Sequence, residues 1–130
     1  MHLKIVTHEK VVYDENVDEI YSKGIDGEFG VLKNHIPFMT ALDVGVTKVV
    51  KDGDVKFFTT MGGIFQYADD EAVILTNSSE CGEDIDVNRA KEAKERAEHR
   101  LHDKDENLDE HRAEAALARA LTRIKAAQTK

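Results

Sequence analysis

Tryptophan is absent from this chain, cysteine and proline occur once each, and no glycine follows Gly82. Each shortage excludes something. A lone Cys81 cannot close an internal disulfide, and with no Cys, His or Lys close by in sequence it reads as a plain linker residue rather than a nucleophile. Long apolar runs are also missing: nothing approaches the roughly 20 residues that cross a bilayer, and the start MHLKIVTHEK has no signal-peptide core. These features describe a soluble cytosolic protein with no direct membrane insertion. The last absence is an excess of positive charge. With 18 Lys and Arg against 26 Asp and Glu, and a formal net charge of -8, the chain repels phosphate backbones, so no nucleic-acid partner is expected.

What the chain does contain is unevenly spread. All eight glycines and Pro37 lie before Glu83, whereas ten of the thirteen alanines lie after it. Residues 1–82 carry 14 acids and 7 bases, and residues 83–130 carry 12 and 11. A boundary at Cys81-Gly82-Glu83 follows. It divides the 130 residues into a net-acidic, turn-rich domain (1–82) and a densely charged, alanine-rich appendage (83–130).

The first part shows short apolar or alternating runs, HLKIV, KVVY, VDEIYSKG, GVTKVV, VKFFTT, GIFQY and AVILT, separated by turn signals. KVV-KDGD-VKFF reads as a hairpin with Asp52-Gly53 at its tip, and IFQY-ADDE-AVIL as another. Many short antiparallel strands with no helix between them predict a small sandwich or barrel. The segment GIDGEFGVLKNHIPFMTALDVG (24–45) interrupts this rhythm with its glycines, a histidine and the only proline. His35 there is either a catalytic base or a histidine that holds a loop by hydrogen bonds. The absence of a nearby activated partner in sequence favours the loop. Glu28 sits between glycines on what should be an exposed turn, as a solubilising charge or as part of a contact surface.

The second part predicts two helices. From Asp84 to about Leu101 the residues are strong helix formers, with Asp84 or Asp86 as cap; HDKDENLD breaks the pattern, and Asn107 or Asp109 can cap a second helix running to about Ala127. Together they form an antiparallel hairpin. Its apolar stripes are Ala90, Ala93, Ala97 and Leu101 on one helix, and Ala113, Ala116 or Leu117, Ala120 and Ile124 on the other. Alanine methyls contribute only about 0.8 kcal/mol each. Such a hairpin is weakly held and suited to movement.

The two helices echo one another. IDVNRAKEAKERAEHRL (85–101) laid over LDEHRAEAALARALTRI (108–124) matches at nine positions, keeping Arg89, Arg96 and Arg100 in register with Arg112, Arg119 and Arg123. At helical neighbour spacings Arg119 faces only Ala115, Ala116, Thr122 and Arg123, and Arg123 faces Arg119, Ala120, Ala126 and Ala127. No acid on the same helix neutralises either. Folding the hairpin about residues 104 and 105 converges Arg89, Arg119 and Arg123 beside Glu80, with Arg96 about two turns along. Guanidinium forks so placed suit the phosphates of a nucleotide triphosphate; the alternative is a solvated polar face aided by pairs such as Glu92–Arg96. His99, His102 and Asp103 share a helix end but read as dipole partners, not metal ligands.

Taken together, these motifs resemble the ε subunits of F-type ATP synthases. The likeness covers GEFGVLKNHIPFMTAL (27–42), the strand entry Gly62-Gly63-Ile64-Phe65 and DIDVNRAKEAKERAEHRL (84–101), in the family's order and separation. Lys33-Asn34 departs from the Pro-Gly often found before the loop histidine.

The resemblance implies a subunit without an active site of its own, in the central stalk of a bacterial enzyme at the cytoplasmic face of the plasma membrane. Its sandwich would bind the γ subunit and the c-ring, with Glu28 facing the ring and His35 near γ. Its helices would either fold onto the sandwich or extend toward the α and β subunits of the catalytic head and block ATP hydrolysis. In some bacterial members the folded helices bind ATP through an (I/L)DxxRA motif. Carried over, this implies Glu80, Ile85, Asp86, Arg89, Ala90, Arg96, Arg119 and Arg123 as ATP contacts, with ATP as a regulatory ligand and no obligatory cofactor or metal. Two rival readings are a stand-alone nucleotide-binding regulatory module and a small hydrolase using His35.

Overall fold

Alternation along the strands sets the architecture. In β1 (His2–Val6), Leu3 and Ile5 have no exposed surface, while His2, Lys4 and Val6 turn outward. The computed structural model describes residues 1–103 and 110–128. After β1 come β2 (Val11–Asn16), β3 (Glu19–Gly24), β4 (Gly27–Leu32), β5 (Phe38–Lys51), β6 (Asp54–Ala68) and β7 (Glu71–Leu75). A 3-10 turn (Gly82–Asp84) leads into α1 (Val87–Asp103), which is followed by α2 (Glu110–Gln128). The N-terminal β-sandwich and the C-terminal helices are those that the sequence pattern predicts.

The strand order is β2-β1-β7-β6-β5-β3-β4, with β1 and β7 parallel and every other pair antiparallel. One hydrogen-bonded sheet thereby supplies both layers, because the long strands β5 and β6 belong to each. They bend where the register passes from Leu42–Gly63 to Val44–Met61, and Gly62 and Gly63 take φ values of 75° and 114° there. Few residues other than glycine accept such angles. The interior receives Leu3, Ile5, Phe65 and Ile74 from one layer and Ile20, Val31 and Val49 from the other. Phe29 packs edge-on against Phe65 at 5.0 Å. Within this apolar interior runs a line of hydroxyls: Ser22 to Thr47 at 2.7 Å, Thr47 to Thr60 at 3.2 Å, and Thr60 donating to the Gly45 carbonyl at 3.2 Å.

Both predicted hairpins form. Their two-residue turns place Asp52 and Gly53, then Asp69 and Asp70, at positive φ. The segment 24–45 differs from expectation, since it contains β4 and the first half of β5. Gly30 hides the strand because its place is taken by the Tyr21 ring, which would lie 2.8 Å from a β-carbon on residue 30. VKFFTT and GIFQY likewise run together as β6, the glycines between them making a bend and not a break.

The first helix starts at Val87, later than the Asp84 expected. Asp86 is the cap, its carboxylate accepting the Arg89 N–H at 3.1 Å, while Asp84 lies in the 3-10 turn. Asn107, Asp109 and the Asp103 side chain lie outside the described residues. Ala90, Ala97, Ala113 and Ala120 are buried between the helices, as the stripes predict. At the sandwich end Ile85 and Ala90 gather with Ala126 and Ala127, so the start of α1 meets the end of α2 in an antiparallel arrangement. Val46 of β5 and Phe57 of β6 close this cluster, which seats the helices on the sandwich.

Candidate functional site

The chain leaves the sandwich along β6. The Thr59 N–H donates to the Glu80 carbonyl at 2.9 Å, and the Glu80 N–H donates to the Thr59 hydroxyl at 3.0 Å. Cys81, half-buried, bridges to Phe58. Glu80 is therefore a fixed part of the sandwich, and its side chain reaches α2. Arg123 Nη2 donates to Glu80 Oε2 at 3.0 Å. Arg123 Nε lies 2.9 Å from Oε1, close enough for the charges, although its N–H is not aligned for a second hydrogen bond. This corrects the expectation of an unneutralised Arg119–Arg123 pair. The acid comes from 43 residues earlier in the chain, beyond the reach of a same-helix search.

The other candidate residues lie on the linker before α1 and on the two helices. Ile85 and Ala90 are buried, and they share their cluster with the end of α2. Asp86 is exposed, its carboxylate engaged as the helix cap. Arg89, Arg96 and Arg119 are exposed and make no ion pair among the described residues. Glu92–Arg96 does not form among them; Lys94 and Glu98 pair instead, at 3.7 Å. Arg119 and Arg123 stand one turn apart on α2, so Arg119 keeps its donors free beside a partner already engaged.

Glu28 is exposed on β4 opposite Lys23. It borders a cavity of about 380 Å³ between the sandwich and α2, lined also by Phe29, Lys48, Phe57 and Lys125. His35 is held by its loop: Nδ1–H donates to the Ile36 carbonyl at 2.7 Å, and the ring lies edge-on to Phe38 and Tyr67, 5.9 Å from each. No Ser, Thr or Cys meets it among the described residues, so the geometry gives the hydrolase reading no nucleophile. Asn34 takes a left-handed φ of 64°, which asparagine tolerates better than most side chains.

Two features escaped the sequence reading. The first is the seat for α2, whose signal is the pair Phe57-Phe58: adjacent aromatics on one strand point to opposite faces, so both faces must be covered. The second is a cross-strand row on the outer face of the other layer, running Val11, Val6, Leu75, Ile64 and Ala41 across β2, β1, β7, β6 and β5. Val11, Leu75 and Ile64 are 49%, 50% and 46% exposed, and neighbouring Met39 is 64% exposed. The outward positions of AVILT carried that signal.

Comparison with known proteins agrees with this geometry. Residues 1–82 match the family described as ATP synthase, Delta/Epsilon chain, beta-sandwich domain, and residues 83–128 match its long alpha-helix domain. An ATP synthase epsilon chain of Desulforamulus reducens is 47% identical over 128 residues, covering 97% of this chain and 96% of that one. One from Nitratidesulfovibrio vulgaris is 44% identical over 125 residues, covering 96% and 93%. Among solved structures, a chain from the OSCP/F1/c-ring of Euglena gracilis mitochondrial ATP synthase superposes with a TM-score of 0.80 at 24% identity, covering 92% of this chain and 76% of its own, which shows the shared fold. Full-length identity, the order of the two matched domains and the superposed fold agree: the chain belongs to the ATP synthase delta/epsilon family and stands among its epsilon chains.

Proposed function

We propose that the chain is a non-catalytic central-stalk subunit of a bacterial F-type ATP synthase, peripheral on the cytoplasmic side of the plasma membrane. Its sandwich binds γ and the c-ring, and its helices restrain ATP hydrolysis when they extend toward the α and β subunits. The observation that carries the stalk role is the uncovered row Val11, Val6, Leu75, Ile64 and Ala41, on the layer away from the helices. A sheet face that leaves this much apolar surface in water is a partner surface, and in this family the partner is the γ shaft.

Co-purification tests it. Ile64→Asp with Leu75→Asp should lower γ binding at least tenfold, about 1.4 kcal/mol, while the exchange protection of β1 and β7 stays intact. Unchanged γ binding would remove the row as the contact face.

The regulatory part of the reading rests on the weak seat of the helices and on the arginines. Burial of alanine methyls provides little energy, and the exposed Arg89, Arg96 and Arg119 can offer donors to phosphates beside Asp86 and Glu80. A nucleotide held only by the folded helices would favour that state, by about 2.7 kcal/mol at a hundred times its dissociation constant. Calorimetry with ATP on the wild type and on Arg119→Ala, Arg123→Ala tests this. Binding that the double variant loses supports an ATP-sensing brake, and no binding at millimolar ATP removes it. ATP binding without γ association would favour the stand-alone nucleotide module.

A further inference from the structure

The side chain that holds α2 down belongs to the sandwich. Glu80 is fixed to Thr59 of β6 through both its N–H and its carbonyl, and its carboxylate grips Arg123. One turn further along α2, the Ala126 carbonyl rests on Gly82, so near that a β-carbon on residue 82 would be 2.3 Å from it. Arg123 and Ala126 are three residues apart and face the same way. The ion pair is partly sheltered, with 26% of the Arg123 and 36% of the Glu80 side chain exposed. It therefore escapes some of the screening that makes open surface pairs weak.

We propose that Glu80–Arg123 and Gly82–Ala126 together form a clasp that needs no nucleotide and sets how readily α2 leaves the sandwich. What must break is the seat on Val46 and Phe57 and this clasp. The clasp is also directional. Glu80 and Gly82 flank Cys81 in the chain beside β6, so α2 is caught at its C-terminal end, and that end must be released before the helix can leave. The inference rests on the reading that the helices leave the sandwich, but not on what ligand they take.

Hydrogen exchange on the full chain without nucleotide tests it, with the amides of β1 and β7 as reference. Glu80→Gln keeps the size of the side chain and removes its charge. The amides of Ala120–Ala127 should then exchange about tenfold faster while β1 and β7 are unchanged. Exchanging the charges, Glu80→Arg with Arg123→Glu, should recover most of that protection. Unaltered exchange in α2 would overturn the clasp. So would faster exchange in β1 and β7 to the same degree, which would make Glu80 a support of the sandwich itself. Failure of ATP to bind in calorimetry leaves this outcome untouched, so the two readings fail separately.

Discussion

The carbonyl oxygen of Ala126 lies over the α-carbon of Gly82, in space that any larger residue would occupy with a β-carbon 2.3 Å away. Gly82→Ala should therefore lift the end of α2. Overpacking of this kind costs about 1–3 kcal/mol, and the loss should fall on the helices. Fast exchange in α2 beside an unchanged urea midpoint for the sandwich is the expected result.

Gly63 predicts the opposite distribution. Its β-carbon would stand 1.9 Å from the Leu75 carbonyl, and its φ of 114° is one that L side chains rarely adopt. Gly63→Ala should destabilise the sandwich by at least about 2 kcal/mol, read as a lowered urea midpoint.

The buried hydroxyls give a third prediction. Thr47→Val keeps the shape but leaves Ser22 and Thr60 without their shared partner. An unsatisfied buried hydroxyl costs about 1–3 kcal/mol, which for a domain of this size lowers Tm by roughly 4–8 °C per kcal/mol. Ser22→Ala added to Thr47→Val should cost less than the sum of the two single changes, as a thermal double-mutant cycle would measure.

Acid should act through Asp18. The Asp52 N–H donates to its carboxylate at 2.8 Å, and together with Lys33 this holds Asp18 below the ordinary aspartate value of 3.8. A carboxyl depressed in the folded state adds stability above its unfolded value, and that stability is lost as pH falls through the folded value. Asp18→Asn should be less stable than wild type at pH 7, and the two stability curves should approach one another below about pH 4.

Periodicity made β1 and β7 legible, and the turn residues Asp52-Gly53 and Asp69-Asp70 made both hairpins legible, because alternation and turn chemistry act over a few residues. It concealed β4, where Gly30 gives up its own side chain to make room for Tyr21, a partner remote in sequence. The helical stripes were legible for the same local reason, with Ala90 and Ala120 buried as expected. The Glu80–Arg123 pair was only half legible. Nothing in the spacing of α2 reveals an acid that reaches it from the strand exit; the fold of the hairpin back onto β6 creates that contact. The outer apolar row depended on which strands neighbour one another. The parallel pairing of β1 with β7, two strands from opposite ends of the domain, joins Val6 to Leu75.

β5 and β6 pair continuously from Phe38–Tyr67 to Lys51–Asp54, with a single skip at the bend. The layers are consequently not two leaves that can be peeled apart. A twisting load applied to the face carrying Ile64 reaches the seat at Phe57 along one unbroken strand, and slip between the layers would require shearing the whole ladder at once. In mechanical terms β6 is the torsion bar of the domain, with Gly62-Gly63 as its built-in bend.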